Sequence, residues 1–434
     1  MVKSPNRKPT PRKPTPRKAP VRKASPRKPA SAPATESGPH QAHLRPAPAM
    51  AAFAVEPALC ILGRSDIRLF GKTLAERIAV QFSRAGLSRQ ITADHAKAYA
   101  GPIIFVRSDA VLDQPLIDSL IKRPNLLLLA SDATSPVVVA GNIRADNLDA
   151  VQAAIAANSV PAVAGLMARA PADLDVGFWK ALRKRETPYA LLVTDANSSA
   201  IAWRMFMGTY KGATDLVTKH VWPLPAFHAT QFLAARGVTP NMVTSVAAIA
   251  TVAAFFLFWQ GNYGWGLLAA WIMTFLDTVD GKLARTTLTS SKWGDVFDHG
   301  IDLVHPPFWY VAWALGLAAW GLALTDQAFW WVMAVIFGGY VVQRLMEGIS
   351  IKWLGLEIHI WRPIDTFFRQ ITARRNPNLI LLSLSWLAGH PDWGLFTVAA
   401  WTAICLVLHG LQLLQGLSAK RAAGGTLTSW MAKP

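Results

Sequence analysis

The sequence predicts a multi-domain membrane protein: a disordered basic N-terminal tail, then an α/β domain, then an all-α domain of six transmembrane helices. Three observations predict it. Apolar residues make up 52% of the 434-residue chain, and 18 residues are Trp, whose ring suits membrane–water interfaces. From Asn241 onward long apolar segments recur, several near the ~20 residues that a bilayer requires. Before them, short apolar runs alternate with helix-like stretches, the pattern of an α/β fold.

Residues 1–50 form the tail. Arg-Lys recurs every five residues from Arg7-Lys8 to Arg27-Lys28, and eleven Lys and Arg fall within residues 1–29, ahead of the first acid, Glu36. Such a segment has nothing to bury, so disorder and local polyproline-like structure are expected. It reads as a solvated tail. The competing reading is a tether to anionic lipid, weakened by phosphorylation at Ser4-Pro5 or Thr10-Pro11. Met50 is an alternative start. No apolar stretch of a secretory signal follows the basic run. The rest of the +18 net charge is spread over loops, which argues against a nucleic-acid partner. Cys60 and Cys405 lie far apart, which argues against a disulfide framework and fits a reducing compartment.

Residues 51–208 form the α/β domain. Ala58–Leu62, Ile103–Val106, Leu126–Leu129, Val137–Ala140 and Ala190–Val193 read as strands. Thr73–Ala85, Leu116–Lys122, Asn147–Ala157 and Phe178–Arg185 read as helices between them, and the alternation predicts a largely parallel sheet. Residues 209–240 are a linker with an interfacial helix around Ala226–Arg236.

The membrane domain covers residues 241–417, followed by a C-terminal tail, 418–434. Its six spans are Met242–Gln260, Trp265–Leu288, Val296–Ala323, Gln327–Gly348, Asn378–Gly389 and Trp393–Leu417, the fifth being short. Loops on one side carry no Lys or Arg. The other side carries Arg285, Lys292, Lys352, Arg362, Arg369, Arg374, Arg375, Lys420 and Arg421. By the positive-inside rule, both termini and the α/β domain are cytoplasmic.

The second and third spans concentrate acids. Asp277 and Asp280 share a helix face at i, i+3, and Asp298 and Asp302 share one at i, i+4. A turn around Thr289–Trp293 lets the two helices run antiparallel and the faces meet. A charge at the centre of a membrane helix costs roughly 3 kcal/mol. Two divalent cations would neutralise four carboxylates, and hard oxygen ligands select Mg²⁺ or Mn²⁺. Such a pair suits a pyrophosphate-containing substrate. Gly281 and Gly294 leave room for backbone approach, and Arg285 offers a phosphate partner. His299 and His305 beside the motif read as packing or hydrogen-bonding residues.

The pattern D-x-x-D-G-x-x-A-R, eight residues, G-x-x-x-D-x-x-x-D is filled at Asp277, Asp280, Gly281, Ala284, Arg285, Gly294, Asp298 and Asp302. It resembles the CDP-alcohol phosphotransferases over about residues 240–416, with Thr239-Pro240-Asn241 similar to the family's entry into its first span. The resemblance implies a dinuclear metal centre on the four aspartates. It implies that Asp280, Gly281, Ala284, Arg285 and Gly294 cradle the cytidine diphosphate, and that Asp302 with Asp298 carries the chemistry, Asp302 as general base. It implies a bacterial inner-membrane type of enzyme in phospholipid synthesis, active site cytoplasmic, that is a homodimer and releases CMP from a CDP-alcohol donor to an alcohol or lipid acceptor. Competing readings are a catalytically inactive membrane scaffold and a cation- or proton-coupled transporter.

On the acceptor side, Arg344, Arg362, Arg369, Arg374 and Arg375 are candidates for an acceptor phosphate, which a guanidinium binds in bidentate fashion. The linker around Tyr210–Asp215 looks like those of fusions with a nucleotidyltransferase-like domain, some of which make and use CDP-inositol. The resemblance therefore implies CDP-diacylglycerol or CDP-inositol as donor and inositol phosphate chemistry. That α/β domain reads as a degenerate nucleotidyltransferase retained for docking, regulation or donor binding, the competing reading being an active cytidylyltransferase. After the strand Ala58–Leu62, Gly63-Arg64-Ser65-Asp66-Ile67-Arg68 lacks the further glycines of a triphosphate-wrapping loop. Arg64, Arg68, Lys72 and a candidate metal ligand, Asp109, are present.

Overall fold

The computed structural model describes residues 55–432 except 175–181 and 183. The expected tail, the alternative start at Met50 and most of the expected helix Phe178–Arg185 lie outside the described residues. The described residues pack as one unit.

The α/β domain is built on five strands: β1 Ala58–Leu62, β2 Ile103–Arg107, β3 Leu126–Leu129, β4 Val138–Ile143 and β5 Met167–Arg169. Their order is β1-β2-β4-β3-β5. The pairs β1/β2 and β3/β5 are parallel, but β4 runs antiparallel to both neighbours. The largely parallel sheet expected from the sequence is thus corrected to a mixed one. β3 and β4 are joined by a short connection and pair as antiparallel neighbours, for which no crossover helix is needed. Ala190–Leu192, expected as a strand of this sheet, pairs instead with Ala110–Leu112 in a separate ribbon.

Side chains alternate across the sheet with period two. Leu59, Ile104, Val106 and Leu128 pack against Ile78 and Phe82 of α1 (Leu74–Arg84) and Leu116, Ile117 and Leu120 of α2 (Gln114–Lys122). Cys60, Ile103, Phe105 and Leu127 pack on the other face against Leu148 and Val151 of α3 (Leu148–Ala156). Helix α1 starts where a capping box permits: the Glu76 amide donates to the Thr73 hydroxyl at 3.2 Å, and the Thr73 amide to Glu76 Oε2 at 2.7 Å.

Gly141 lies opposite both Phe105 and Leu127 in the sheet. A Cβ there would sit 2.6 Å from Phe105 Cε1 and 2.7 Å from Leu127 Cδ2. Gly141→Ala therefore overpacks the core and lowers the stability of this domain by about 1–3 kcal/mol, read as a reduced melting temperature.

The segment that would have to wrap a triphosphate, residues 63–68, is irregular up to Ile67 and runs directly into a hairpin, Arg68–Leu69 against Lys72–Thr73. Phe70 and Gly71 turn it with φ of 50° and 77°. Gly71 abuts the Ala234 carbonyl, where a Cβ would come within 2.5 Å, so the backbones meet here only because residue 71 has no side chain.

Beyond α4 (Ser198–Gly208) and α5 (Pro223–Ala235), six helices occupy the six segments expected as spans: α6 Pro240–Trp259, α7 Tyr263–Thr286, α8 Lys292–Gly316, α9 Asp326–Ile349, α11 Arg375–Leu387 and α12 Pro391–Ala422. A short helix α10, Pro363–Ile371, lies between α9 and α11. Among the described residues, three helices are long and apolar enough to cross a membrane: Pro240–Trp259, Asp326–Leu354 and Pro391–Ala422. α11 has 13 residues, about 20 Å, short of the ~30 Å hydrocarbon layer. α7 and α8 carry the acidic motif, which breaks their apolar run.

The bundle core holds Phe258, Tyr263, Trp309, Trp313, Met273 and Ile336. Not all Trp serve an interface as expected. Trp313 is fully buried, stacked on Tyr263 at 4.1 Å, its Nε1 donating to the Pro391 carbonyl at 2.9 Å. Trp259, Trp265, Trp320, Trp330, Trp331 and Trp393 are exposed and lie near the helix ends away from the basic loops, as an aromatic belt would. The C-terminal segment folds back, with the Trp430 Nε1 donating to the Thr366 hydroxyl at 2.9 Å.

The two parts share one apolar seam. Leu69, Phe70 and Leu74 of the α/β domain join Phe206, Phe227, Val243, Val279 and Leu283 in a single cluster. Val279 and Leu283 stand on α7, the helix that bears Asp277 and Asp280.

Candidate active site

Helices α7 and α8 run antiparallel across the loop 287–291, and Ser291 caps α8 by accepting from the Gly294 amide at 3.0 Å. The acidic faces meet as the spacing requires. Carboxylate oxygens of Asp277, Asp298 and Asp302 lie within 4.8 Å of one another. Asp280 stands beside them and is tied to α6: the Thr244 hydroxyl donates to its Oδ2 at 2.6 Å. Its Oδ1 is buried with no hydrogen-bond partner among the described residues. Three converging carboxylates, and a fourth with a lone oxygen, form an all-oxygen donor set that fits a hard divalent cation.

Two cavities flank this cluster. The larger, about 360 Å³, is lined by Asp302, His299, Tyr310 and Tyr340, by Arg344, Arg369, Arg374 and Arg375, and by Glu347, His359, Lys211 and Asp215. The smaller, about 40 Å³, is lined by Asp280, Gly281, Ala284, Ser290, Ser291, Gly294 and Asp298, with Asn241 and Thr244 of α6. One carboxylate cluster therefore opens on both sides.

A CDP-alcohol phosphatidyltransferase family model matches residues 237–407, the segment that carries both cavities. This segment belongs to the CDP-alcohol phosphatidyltransferase family. The chain is 35% identical over 74 residues to a phosphatidylinositol phosphate synthase of Streptomyces avermitilis, covering 17% of this chain and 30% of that protein. It is 32% identical over 110 residues to an archaetidylinositol phosphate synthase of Pyrococcus horikoshii, covering 25% and 54%. The chain thus spans about a third to a half of the length of these curated relatives. A solved Mycobacterium tuberculosis phosphatidylinositol phosphate synthase with CDP-DAG bound overlaps 42% of this chain and 90% of that one, at 19% identity and a TM-score of 0.34.

Within the transferase domain, the motif glycines make room for protein groups. A Cβ at Gly281 would lie 2.9 Å from Arg285 Nη2, and one at Gly294 would lie 3.0 Å from Asn241 Oδ1. Arg285 folds over Gly281, and α8 closes on α6. Ala284 anchors the loop, its carbonyl accepting from the Thr289 amide at 2.9 Å and the Ser290 hydroxyl at 3.2 Å.

The acceptor-side arginines separate. Arg375 bridges Asp277 and Asp302 with its guanidinium, so it stands among the carboxylates as well as in the larger cavity. Arg374 and Arg344 both pair with Glu347, the latter at 3.1 Å. Arg369 lines the same cavity. Arg362 does not: it pairs in bidentate fashion with the fully buried Asp365, at 2.9 and 2.8 Å, and fixes the start of α10.

Pro306 and Pro307 interrupt α8 just past Asp302. Proline lacks an amide proton, so each frees the carbonyl four residues back. The Leu303 carbonyl freed by Pro307 accepts from the Tyr340 hydroxyl at 2.8 Å, which ties α9 to the cavity wall. His305 binds the Ile301 carbonyl through Nδ1 at 2.7 Å, a hydrogen-bonding residue as expected.

Sequence reasoning missed Glu347, Thr244 and Asp215. Glu347 was findable, as a lone acid in an apolar helix. Thr244 and Asp215 carried no local signal. Asp215 reaches the site by accepting from Asn376 Nδ2 at 2.9 Å, a contact between residues 161 apart.

In the α/β domain, Arg107 holds Asp109 in a bidentate pair at 2.9 and 2.8 Å. Both oxygens of the expected metal ligand are thereby engaged, and Arg64 pairs with Asp66 in solvent at 3.5 Å.

Proposed function

We propose that the chain is a membrane transferase that moves a substituted phosphate from a CDP-alcohol to a hydroxyl of a phosphorylated polyol and releases CMP, in the synthesis of an inositol-type phospholipid. The observation that carries this reading is the single carboxylate cluster opening on two unlike cavities. The small one, walled by the motif's Gly281, Ala284 and Gly294, suits the nucleotide. The large one mixes guanidinium groups with the acceptors Glu347 and Asp302, which suits a phosphate and neighbouring hydroxyls. Two of the curated relatives, named a phosphatidylinositol phosphate synthase and an archaetidylinositol phosphate synthase, point the same way.

Asp277, Asp280, Asp298 and Asp302 would hold two Mg²⁺ or Mn²⁺ ions, which when bound supply Lewis-acid stabilisation of phosphoryl charge. The chain's own groups do the rest. Arg344, Arg369 and Arg374 hold the acceptor phosphate and orient its hydroxyl. Asp302 faces that cavity, and its oxygen that is not given to an ion accepts the hydroxyl proton as the acceptor oxygen attacks the phosphorus that bears the alcohol. The new P–O bond forms as the bond to the CMP oxygen breaks, and CMP leaves with that electron pair. Arg375 orients Asp302. The basic loops support a cytoplasmic site and termini, the positions of the six helices support six spans, and family resemblance supports a homodimer.

The test is CMP release by the purified chain in detergent with Mg²⁺ or Mn²⁺. CDP-diacylglycerol and CDP-inositol are offered separately against inositol phosphate, glycerol phosphate and a lipid alcohol. Metal-dependent release from CDP-diacylglycerol that requires inositol phosphate is expected, whereas release from CDP-inositol with inositol phosphate would keep the transferase but make the product a soluble diester and not a phospholipid. Release with another acceptor replaces the polyol reading, and no release from folded protein with any pair removes the enzymatic one.

A further inference from the structure

The α/β domain touches the transferase domain at the loop that joins the two halves of the acidic motif. Arg77 on α1 is buried and donates through Nη1 to the Thr286 carbonyl at 2.6 Å, the last residue of α7. Two turns further along the same face of the helix, Arg84 donates through Nη2 to the Leu288 carbonyl at 2.7 Å, with the Ser290 carbonyl at 3.4 Å. A helix C-terminus leaves carbonyls without intrahelical partners, and a cation there also meets the negative end of the dipole. Leu288 has φ of 57°, a conformation that a leucine holds only where its surroundings fix it. Ser290 and Ser291, next in the chain, wall the smaller cavity.

We propose that α1 is a clamp: Arg77 and Arg84 are positioning residues that hold the loop 287–291 in the shape that admits the donor nucleotide. The inference rests on reading the smaller cavity as the donor side. It explains why the α/β domain is fused to a transferase although its Asp109 is committed to Arg107. The hairpin at residues 68–73 and the apolar seam with Val279 and Leu283 set α1 in place, and its two guanidinium groups reach the loop. The domain acts on the membrane site through the backbone.

The test uses the full chain in detergent. Arg84 is exposed and outside the core, so Arg84→Ala folds. The KM for the CDP donor is expected to rise roughly three- to tenfold, the loss of one charge-assisted hydrogen bond, with the acceptor KM unmoved. Arg84→Lys, which keeps one donor, recovers part of it, and Arg77→Lys gives a second rise. Hydrogen exchange of the amides at residues 287–291 is expected to quicken in Arg84→Ala while the sheet amides stay as in the parent. Unchanged donor KM and loop exchange would overturn the clamp. So would equal rises in both KM values with faster exchange throughout, which is general loosening. The exchange measurement needs no turnover, so it still reads the clamp if the parent releases no CMP, an outcome that removes the transferase reading instead.

Discussion

Asp277→Asn lowers CMP release at least roughly a thousandfold and removes stabilisation by divalent ions. The change keeps size and one carbonyl oxygen but deletes a charge at the centre of the cluster, where Asp277, Asp298 and Asp302 converge within 4.8 Å. Metal-assisted charge stabilisation is worth several kcal/mol in such reactions, and each 1.4 kcal/mol is tenfold in rate. Two measurements check it. Steady-state CMP release at saturating donor and acceptor gives the rate. The melting temperature of the parent, titrated with Mn²⁺, rises by mass action because the ion binds only the folded site. Asp277→Asn flattens that titration. A variant that keeps a full Mn²⁺ shift and near-parent turnover would remove Asp277 from the metal centre.

Arg375→Ala makes the protein depend on divalent ions for its stability. The guanidinium bridges Asp277 and Asp302, with only 15% of its side chain exposed. Removing one partner of a buried ion pair costs about 3–5 kcal/mol, because the charges left behind have nothing to answer them. Here three carboxylates would face one another. In EDTA the variant is expected to melt several degrees below the parent. Saturating Mg²⁺ or Mn²⁺ restores most of the difference, since an ion neutralises the charge that the arginine had answered. Melting in EDTA identical to the parent would show that Arg375 contributes no net stabilisation. Turnover falls as well, because Asp302 loses the group that orients it.

The acidic motif was legible because helical spacing alone puts Asp277 with Asp280 and Asp298 with Asp302, and a turn of a few residues forces the two faces together. Arg375 was legible only as a basic residue facing an acceptor. Its bridging of Asp277 and Asp302 spans 98 and 73 positions of chain, and no local pattern encodes that. Arg362 failed as an acceptor candidate for a different reason: Asp365, only three residues on, pairs with it at the start of α10, a local pairing that the count of basic residues in the loop overlooked. In the α/β domain the strands were readable from period-two apolar runs, while their directions were not. Alternation with helices suggests parallel pairing, yet β4 follows β3 closely enough to return beside it antiparallel.

By itself the sequence determined the family of the C-terminal segment, the four aspartates, the positions of six apolar helices and the side on which the basic residues gather. These are local properties, written in spacing, hydropathy and charge along a single element. Tertiary structure alone decided that the cluster opens on two cavities, that Glu347 answers Arg374, and that α1 of the α/β domain holds the loop beside the small cavity. Those contacts join residues up to 209 positions apart, and the pairing of buried charges and orphan carbonyls depends on which elements pack together, not on which residues adjoin.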